Sequence, residues 1–519
     1  IQAVRNAFDV HGNVIETIDP NGIPGEHKHR RQYTYDDDQL RVVRAEVLLE
    51  DKEGKPYKLR RDVAYEPLFD KTMESTDWLR IDSDGVVVST TRSFFFLYDE
   101  FSRMVQRILP GGDSSLSPTE TFTYDLGNPS SRIITKRRSQ IGGEMDIETI
   151  NCMDGRGRTF QTRTRLDEDL YQVSGFQVFN VRATPVRSYQ PYTSPSAECE
   201  TAEANIPDHV RYSEMTFDAT YRPLNTIAAD AEIYGTASIT RTEYLPLTSL
   251  AYHGEDNSPG SIHSDTPTIT RANGAGQVVA IERLLGPNNA EVTELHYDSL
   301  GRMTGYTDPA GNRKTQVFDL LGRVTLILDP NTLDETTYQY DDVGNVIRTE
   351  DDRRVVTLSE YDGMNRLITT WDEADPEGTT IAWTYDFDPD CEPGKCTHTE
   401  GKVASVTYPG PEGVPATDYS GFDLRGRSIF MGRTLQGFPF EFAFGYDNAD
   451  RNVSVTYPDG QVIERTYDDA SRLMSIEGIV HTITYDERSQ MDAMGCADGS
   501  ATVMSYDAIM RPSEKITTD

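Results

Sequence analysis

Positive charge is in short supply in this sequence: 50 Lys and Arg stand against 85 Asp and Glu, a formal net charge of −35. Such a surface repels phosphate backbones and anionic lipid, so nucleic acid is excluded as a natural partner. Long apolar runs are lacking too. No stretch of eighteen apolar residues occurs, and direct membrane insertion through a helix is not expected. The first residues, "IQAVRNAFDVHGNVIETIDPNG", carry no initiator Met, no basic segment and no apolar segment, which predicts an excerpt of a longer chain. Cysteines number only five, Cys152, Cys199, Cys391, Cys396 and Cys496, so at least one thiol is free. Gly-x-Ser-x-Gly, His-Glu-x-x-His, the phosphate-binding Gly-x4-Gly-Lys-Ser/Thr and Gly-x-Gly-x-x-Gly are all missing. No residue is assigned a catalytic role, no cofactor is called for, and the chain is expected not to be an enzyme.

What is present is neither disordered nor densely apolar. Hydrophobic residues make up 36% and aromatics 9%, too much for a disordered chain, yet the mean hydropathy of −0.57 is low for a close-packed globule. A thin-walled protein fits both values. The 519 residues suffice for several domains or for one extended repeat array, and self-similarity decides between them. Tyr-Asp or Phe-Asp pairs begin at Tyr297, Phe318, Tyr340, Tyr361, Tyr385, Phe422, Tyr446, Tyr467, Tyr485 and Tyr506, a period near 21 with one longer step between Tyr385 and Phe422.

Each unit holds two reversal signals. In "HYDSLGRMTGYTDPAGNRKTQVFD", Asp298 and Gly301 occupy the ends of a type I turn, and Asp308-Pro309-Ala310-Gly311 places Pro at i+1 and Gly at i+3 of another. Between them lie six to eight residues rich in Thr, Val, Ile, Tyr and Leu, the composition and length of a strand. The spacing predicts an all-β chain of tandem hairpins in a continuous curved sheet. The repeat positions are Tyr297, Asp298, Gly301, Arg302, then Phe318, Asp319, Gly322, Arg323, then Tyr340, Asp341, Gly344, and Tyr361, Asp362, Arg366. Asp is expected to accept backbone N–H groups within its own turn, Gly to supply a left-handed backbone angle, and the ring to lie half-buried against the next hairpin. The Arg residues, with Arg427 and Arg472 at the same phase, are expected to bridge to the Asp of the same or the neighbouring hairpin.

The organisation divides into residues 1–250, where the unit recurs in degenerate form with insertions, and residues 251–519, where it is regular. "FDVHGNVIETIDPNG", "LYDEFSRMVQRILPGGD" and "NCMDGRGRTFQTR" are degenerate examples. The stretch "SYQPYTSPSAECETAEANIPDH" from Ser188 is expected to be a surface loop from its Pro, Ser and acidic content.

Each chemical candidate competes with a structural explanation. Asp341-Asp342, Asp351-Asp352 and Asp468-Asp469 resemble acid/base pairs, but they recur at turn phase, as a single active site does not. His27-Lys28-His29 lacks a third ligand at metal spacing, and no metal site is assigned. Cys391 and Cys396, in the Pro/Gly-rich "DPDCEPGKCTHTEG", form a candidate disulfide; inert thiols, transient redox chemistry and, with His398, a metal remain alternatives. "DSDG" at Asp82 and "DFDPD" at Asp386 lack the closing Glu of a calcium loop and read as turns. Asn452-Val453-Ser454 is a lone glycosylation sequon.

The unit from Tyr297 to Asn312, "YDSLGRMTGYTDPAGN", is similar to the YD repeat of the RHS-repeat family, which includes toxin-complex B and C subunits, polymorphic toxins and teneurins. The stretches "DGRGRTFQTRTRLDEDLYQVSGFQVFNVRATPVRSYQPYTS" from Asp154 and "MTFDATYRPLNTIAADAE" from Met215 resemble the middle and C-terminal parts of the toxin-complex B subunit. The resemblance implies a spiral sheet closing as a hollow shell around a toxin segment. It also implies partners outside these residues: a cargo toxin and an RHS-core partner on a C-terminal segment or a separate chain, and a channel-forming toxin subunit reached through a propeller. The function it implies is encapsulation of a cargo toxin for delivery by a secreted, bacterial protein. The alternative is a secreted or cell-surface adhesion module binding glycans or a receptor, with polysaccharide cleavage along a β-groove as a third reading.

Overall fold

The computed structural model describes residues 4–22, 29–127, 130–286, 289–332, 334–410 and 413–518. Strand accounts for 52% of the chain and helix for 3%, so the short helical turns at Ala231–Tyr234 and Pro376–Thr379 are punctuation in an all-β structure. The strands form two antiparallel sheets. One of 15 strands runs from Arg5–Phe8 to Tyr192–Ser194, and one of 28 strands runs from Gln177–Phe179 to Pro512–Thr518. In the second sheet nearly every strand pairs with its neighbour in sequence, the order that tandem hairpins dictate. The sheets change over near Gly175, which sits at φ +65° just after the strand Leu170–Ser174. The shift from degenerate to regular repeats, near residue 250, falls inside the second sheet.

The wall is one sheet thick. A compact protein of 58.3 kDa exposes about 19,000 Å² by the usual size scaling, whereas this chain exposes 28558 Å². The excess is the second face of a sheet that packs against nothing. Buried apolar residues gather into clusters at irregular places, with single ones such as Val455, Ile463 and Ile483 on the regular strands. Ile150, Cys152, Phe160, Tyr171, Val173 and Phe176 form one cluster at the changeover, and Val47, Leu49, Tyr57 and Leu59 form another. The stretch from Ser188 is not the surface loop its polar composition predicts. It lays Tyr192, Ile206 and Val210 onto the first cluster, and a disulfide from Cys199 to Cys152 ties it there. Three apolar side chains and one disulfide, spaced along a polar segment, outweigh its average composition.

Candidate functional site: the turn edges of the wall and the seam between its circuits

Successive reversals alternate between the two edges of the ribbon. One is built from Tyr-Asp turns; the other carries Asp-Pro turns, as at Asp308 and Asp329, together with other tight turns such as Leu435–Phe438 and insertions such as the helical segment from Ala231 to Ser238. At the first edge the Asp298 N–H donates to Arg302 O and the Gly301 N–H to Asp298 O, both at 3.0 Å. The Asp298 carboxylate accepts the N–H groups of Leu300 and Arg302, each at 2.9 Å. Gly301, Gly322 and Gly344 take φ of +81°, +83° and +111°, and Asn365 fills the same position after Asp362 at +62°. A type I turn followed by a left-handed residue matches the right-handed twist of the flanking strands. The hydrogen bonds from the Arg302 and Arg323 N–H groups hold the Asp298 and Asp319 carboxyls below the usual carboxylate range.

Arg and Tyr link each turn to its neighbours. Arg302 Nε donates to its own Asp298 at 2.7 Å, and its Nη1 donates to the backbone carbonyl of Asp319 one hairpin on, at 3.1 Å. Arg323 repeats this with Asp319 at 2.7 Å and the Asp341 carbonyl at 2.9 Å. Both guanidinium groups lie over the next ring, 4.7 Å from Phe318 and 4.6 Å from Tyr340. The expected rungs of carboxylate pairs are therefore half carboxylate and half carbonyl, because the Asp side chain is occupied inside its own turn. The tyrosines reach the other way. Hydroxyls of Tyr297, Tyr340 and Tyr361 donate to the carbonyls of Val278, Val324 and Val346 of the preceding hairpin at 2.8, 2.6 and 3.0 Å. Sequence reasoning missed this contact, although a Tyr at a half-buried repeat position signals a hydroxyl in need of an acceptor.

The two edges meet where the spiral returns to itself. Asn21 Nδ2 donates to Asp341 at 2.7 Å across 320 residues of sequence. The Tyr57 hydroxyl donates to Asp386 at 2.6 Å across 329. Arg425 pairs with Asp113 at 3.2 Å across 312, and Arg165 with Asp469 at 3.3 Å across 304. In every case the earlier residue belongs to the Asp-Pro edge or an insertion on it, and the later one to the Tyr-Asp edge. The near-constant separation defines one circuit. About 25 strands at ~4.8 Å spacing give a circumference near 120 Å and a diameter of about 40 Å between wall centres.

The seam contains the most buried charge among the described residues. Arg92 is fully enclosed, paired with Asp77 at 3.1 Å and Glu400 at 3.2 Å. Burial raises the Glu400 carboxyl and lowers the Lys402 ammonium and the His398 imidazole, the last two helped by the charge of Arg92. Asp386, part of the "DFDPD" stretch, accepts both Arg366 Nη1 at 3.1 Å and Arg366 Nη2 at 2.8 Å while holding Tyr57. Asp341 carries no free acid either. Burial pushes it up, but hydrogen bonds from Asn21, Asn345 and Gly344 outweigh that and hold it low. Cys391 and Cys396 are joined as a disulfide within the insertion that reaches Lys52 through Asp388, so the thiols a zinc site would use are spent. Cys496 is free. Of the pair of imidazoles at residues 27 and 29, His27 lies outside the described residues with Lys28, and His29 pairs with Asp19 at 3.0 Å. Among the described residues no group of three metal-ligating side chains is assembled. No helix of the described residues is long and apolar enough to cross a membrane.

A spiral, single-layer hairpin wall, closed on itself through a seam of turns, is the class that fold and site define. No family model and no curated protein matches the sequence. Solved structures match the fold. The crystal structure of TcdB2-TccC3 aligns over 100% of this chain and 29% of its own length, with a TM-score of 0.79 and 14% identity. The TcdB2-TccC3-Cdc42 structure gives 0.81 at 13% identity over 99% and 31%, and the Photorhabdus luminescens Tc holotoxin pore carrying TccC3-D651A gives 0.76 at 14% over 99% and 30%. The fold is that of these TcdB2-TccC3 and Tc holotoxin structures, and the chain spans about a third of the length of each structure it matches.

Proposed function

We propose that this chain is a wall segment of a toxin-encapsulating shell, resembling the toxin-complex B subunit of the RHS/YD-repeat family, with containment rather than catalysis as its role. The observation that carries this is the return of a one-sheet wall onto itself after about 320 residues. With sheets and side chains about 10 Å thick, the circuit leaves a lumen of about 30 Å, room for an extended or partly folded polypeptide. The cargo is a toxin segment on a C-terminal extension or a separate chain, and a channel-forming subunit joins through a propeller outside this chain. The two disulfides support an oxidising, secreted setting.

Protease protection tests the proposal. Isolated from the cells that make it, the protein should retain a polypeptide that survives trypsin while the wall is intact and is digested once urea opens the wall. An intact wall with no retained polypeptide, or one digested at the same rate before and after opening, overturns the reading.

A further inference from the structure

The insertion from Asp386 to Lys402 stands in place of an ordinary Tyr-Asp turn between the strands Ile381–Tyr385 and Val403–Tyr408. Its base keeps the bond of that turn, the Asp386 N–H donating to Lys402 O at 3.0 Å. Beyond the base it runs as two legs. The leg from Asp386 to Cys391 crosses the seam: Lys52 Nζ pairs with Asp388 at 3.1 Å and with Asp390, and the Phe387 ring lies 4.5 Å from the Arg80 guanidinium. The leg from Cys396 to Lys402 is tied to its own circuit, where the Phe422 N–H donates to Thr397 O at 2.8 Å and Thr397 Oγ1 to Phe422 O at 2.7 Å. At the far end the Cys391–Cys396 bond joins the legs. The two disulfides of the chain differ in access. Cys152 is fully buried in its apolar cluster, whereas Cys391 and Cys396 are half-buried and flank the exposed Glu392, Pro393 and Gly394. A thiolate has to reach a sulfur to exchange with it, so the open bond is the reactive one.

We propose that Cys391–Cys396 is a site of thiol–disulfide exchange with a dithiol, and that its reduction loosens the seam where the first leg meets Lys52 and Arg80. One thiolate of the dithiol attacks a sulfur of the pair, forming a mixed disulfide and expelling the other cysteine as a thiolate that takes up a proton. The second thiolate of the reagent then attacks the mixed disulfide and frees the remaining cysteine, which is protonated in turn. Two electrons pass from the dithiol to the pair, its two protons end on Cys391 and Cys396, and the reagent leaves as a cyclic disulfide. Opening the ring returns conformational freedom to the legs. The contacts then left to hold the first leg at Lys52 and Arg80 are an ion pair with the half-exposed Lys52 and a cation–ring contact, each weak alone. Asp386 stays in place, because Arg366 holds it from within its own circuit at 2.8 Å, so the loosening is local. The inference is independent of what the wall encloses.

Differential alkylation and hydrogen exchange on the folded chain test both halves. Cys496 is first blocked with N-ethylmaleimide, then the protein is treated with millimolar dithiothreitol, alkylated with iodoacetamide and mapped by mass spectrometry. Cys391 and Cys396 should carry the new label while Cys152 and Cys199 stay joined. In the reduced protein the amides of Asp51, Gly54 and Lys55, which close the turn beside Lys52, and those of Cys391, Lys395 and Thr397 should exchange about tenfold faster. Those of Asp386 and Lys402 should not change. Cys391→Ser/Cys396→Ser should show the faster pattern without reagent and no response to it; should that variant not fold, the reduced wild type decides. A pair that resists dithiothreitol, or reacts no sooner than Cys152–Cys199, overturns the proposal. So does a reduced protein whose Asp51–Lys55 turn exchanges as before, or one that loses protection at Asp386 and Lys402 as well, which is unfolding.

Discussion

Residues 147–210 and residues 278–350 are built from the same hairpin unit and are held together by different physics. The first region has an apolar cluster, a disulfide from Cys152 to Cys199, and an edge-on stack of Phe160 and Phe176 at 6.1 Å. The second has no buried hydrophobic residue among those described; its strands expose both faces and are held by ladder hydrogen bonds and by turns stapled through Asp, Arg and Tyr. A wall without a core has to draw its stability from each repeat and its neighbours. That explains the regularity of the second region: where packing does not select a conformation, every turn has to do so by itself. The irregular region tolerates degenerate repeats because burial substitutes for turn chemistry.

The widest separation between the two regions should appear in acid. The carboxyls of Asp298, Asp308, Asp319 and Asp329 are held low: those of Asp298 and Asp319 by backbone N–H donors, Asp308 by the Asn312 side chain and Asp329 by Lys314. A carboxyl lowered on folding stabilises the fold fully above its unfolded value of 3.8 and loses that contribution as pH falls through its folded value. The first region also holds Glu148, Asp154 and Glu203 low, but its apolar burial and its disulfide do not titrate in this range. Acidification from pH 5 to below 3 should therefore release the regular array first. Brief pepsin digestion mapped by mass spectrometry is expected to cut between residues 278 and 350 while 147–176 survives. Simultaneous cleavage of both regions would erase the distinction.

Next in size is the apolar contribution itself. Leu59 is fully buried in its cluster, and Leu59→Ala should cost about 2–5 kcal/mol through lost transfer energy and the cavity left behind. Leu326, half-buried on a strand of the regular sheet, has less to lose, and Leu326→Ala should cost less than about 1.5 kcal/mol. Urea midpoints of the two variants read the difference. Equal shifts would mean that the regular wall holds a core that its exposed faces do not suggest.

Local interactions were legible in the sequence and distant ones were not. Asp298 to Gly301 announces its turn because the bonded partners lie three and four residues apart, and strand pairing follows from turns that recur every 21 or so residues. The all-β hairpin architecture follows from those alone. The seam pairs Asn21 with Asp341 and Tyr57 with Asp386, contacts set by how tightly the sheet curves, which no window of sequence encodes. Asp386 thus reads as one more acidic turn residue and proves to be a buried acceptor for Arg366 and Tyr57. Cys152 and Cys199 lie 47 residues apart, and their pairing depends on the same kind of folding back, whereas Cys391 and Cys396, 5 apart, stand out within one loop.

The smallest effect concerns the fourth residue after each edge aromatic. Gly301 and Gly322 occupy the left-handed region freely, while Met510 and Tyr221 are held there at φ +67° each. For a residue with a Cβ that region costs about 1–2 kcal/mol. Gly322→Ala should lose about that much, since an added Cβ meets nothing nearer than Arg302 Nη1 at 3.8 Å and the penalty is purely conformational. Met510→Gly should recover most of it, less the flexibility that glycine adds to the unfolded chain, for a net gain of about 0.5 kcal/mol. Thermal melts of the two variants should move in opposite directions. If the regular array depends on each turn choosing its own conformation, the loss at Gly322 is expressed in full. A Gly322→Ala variant that melts with the wild type would show that neighbouring hairpins, rather than the turn residue, impose the backbone angle.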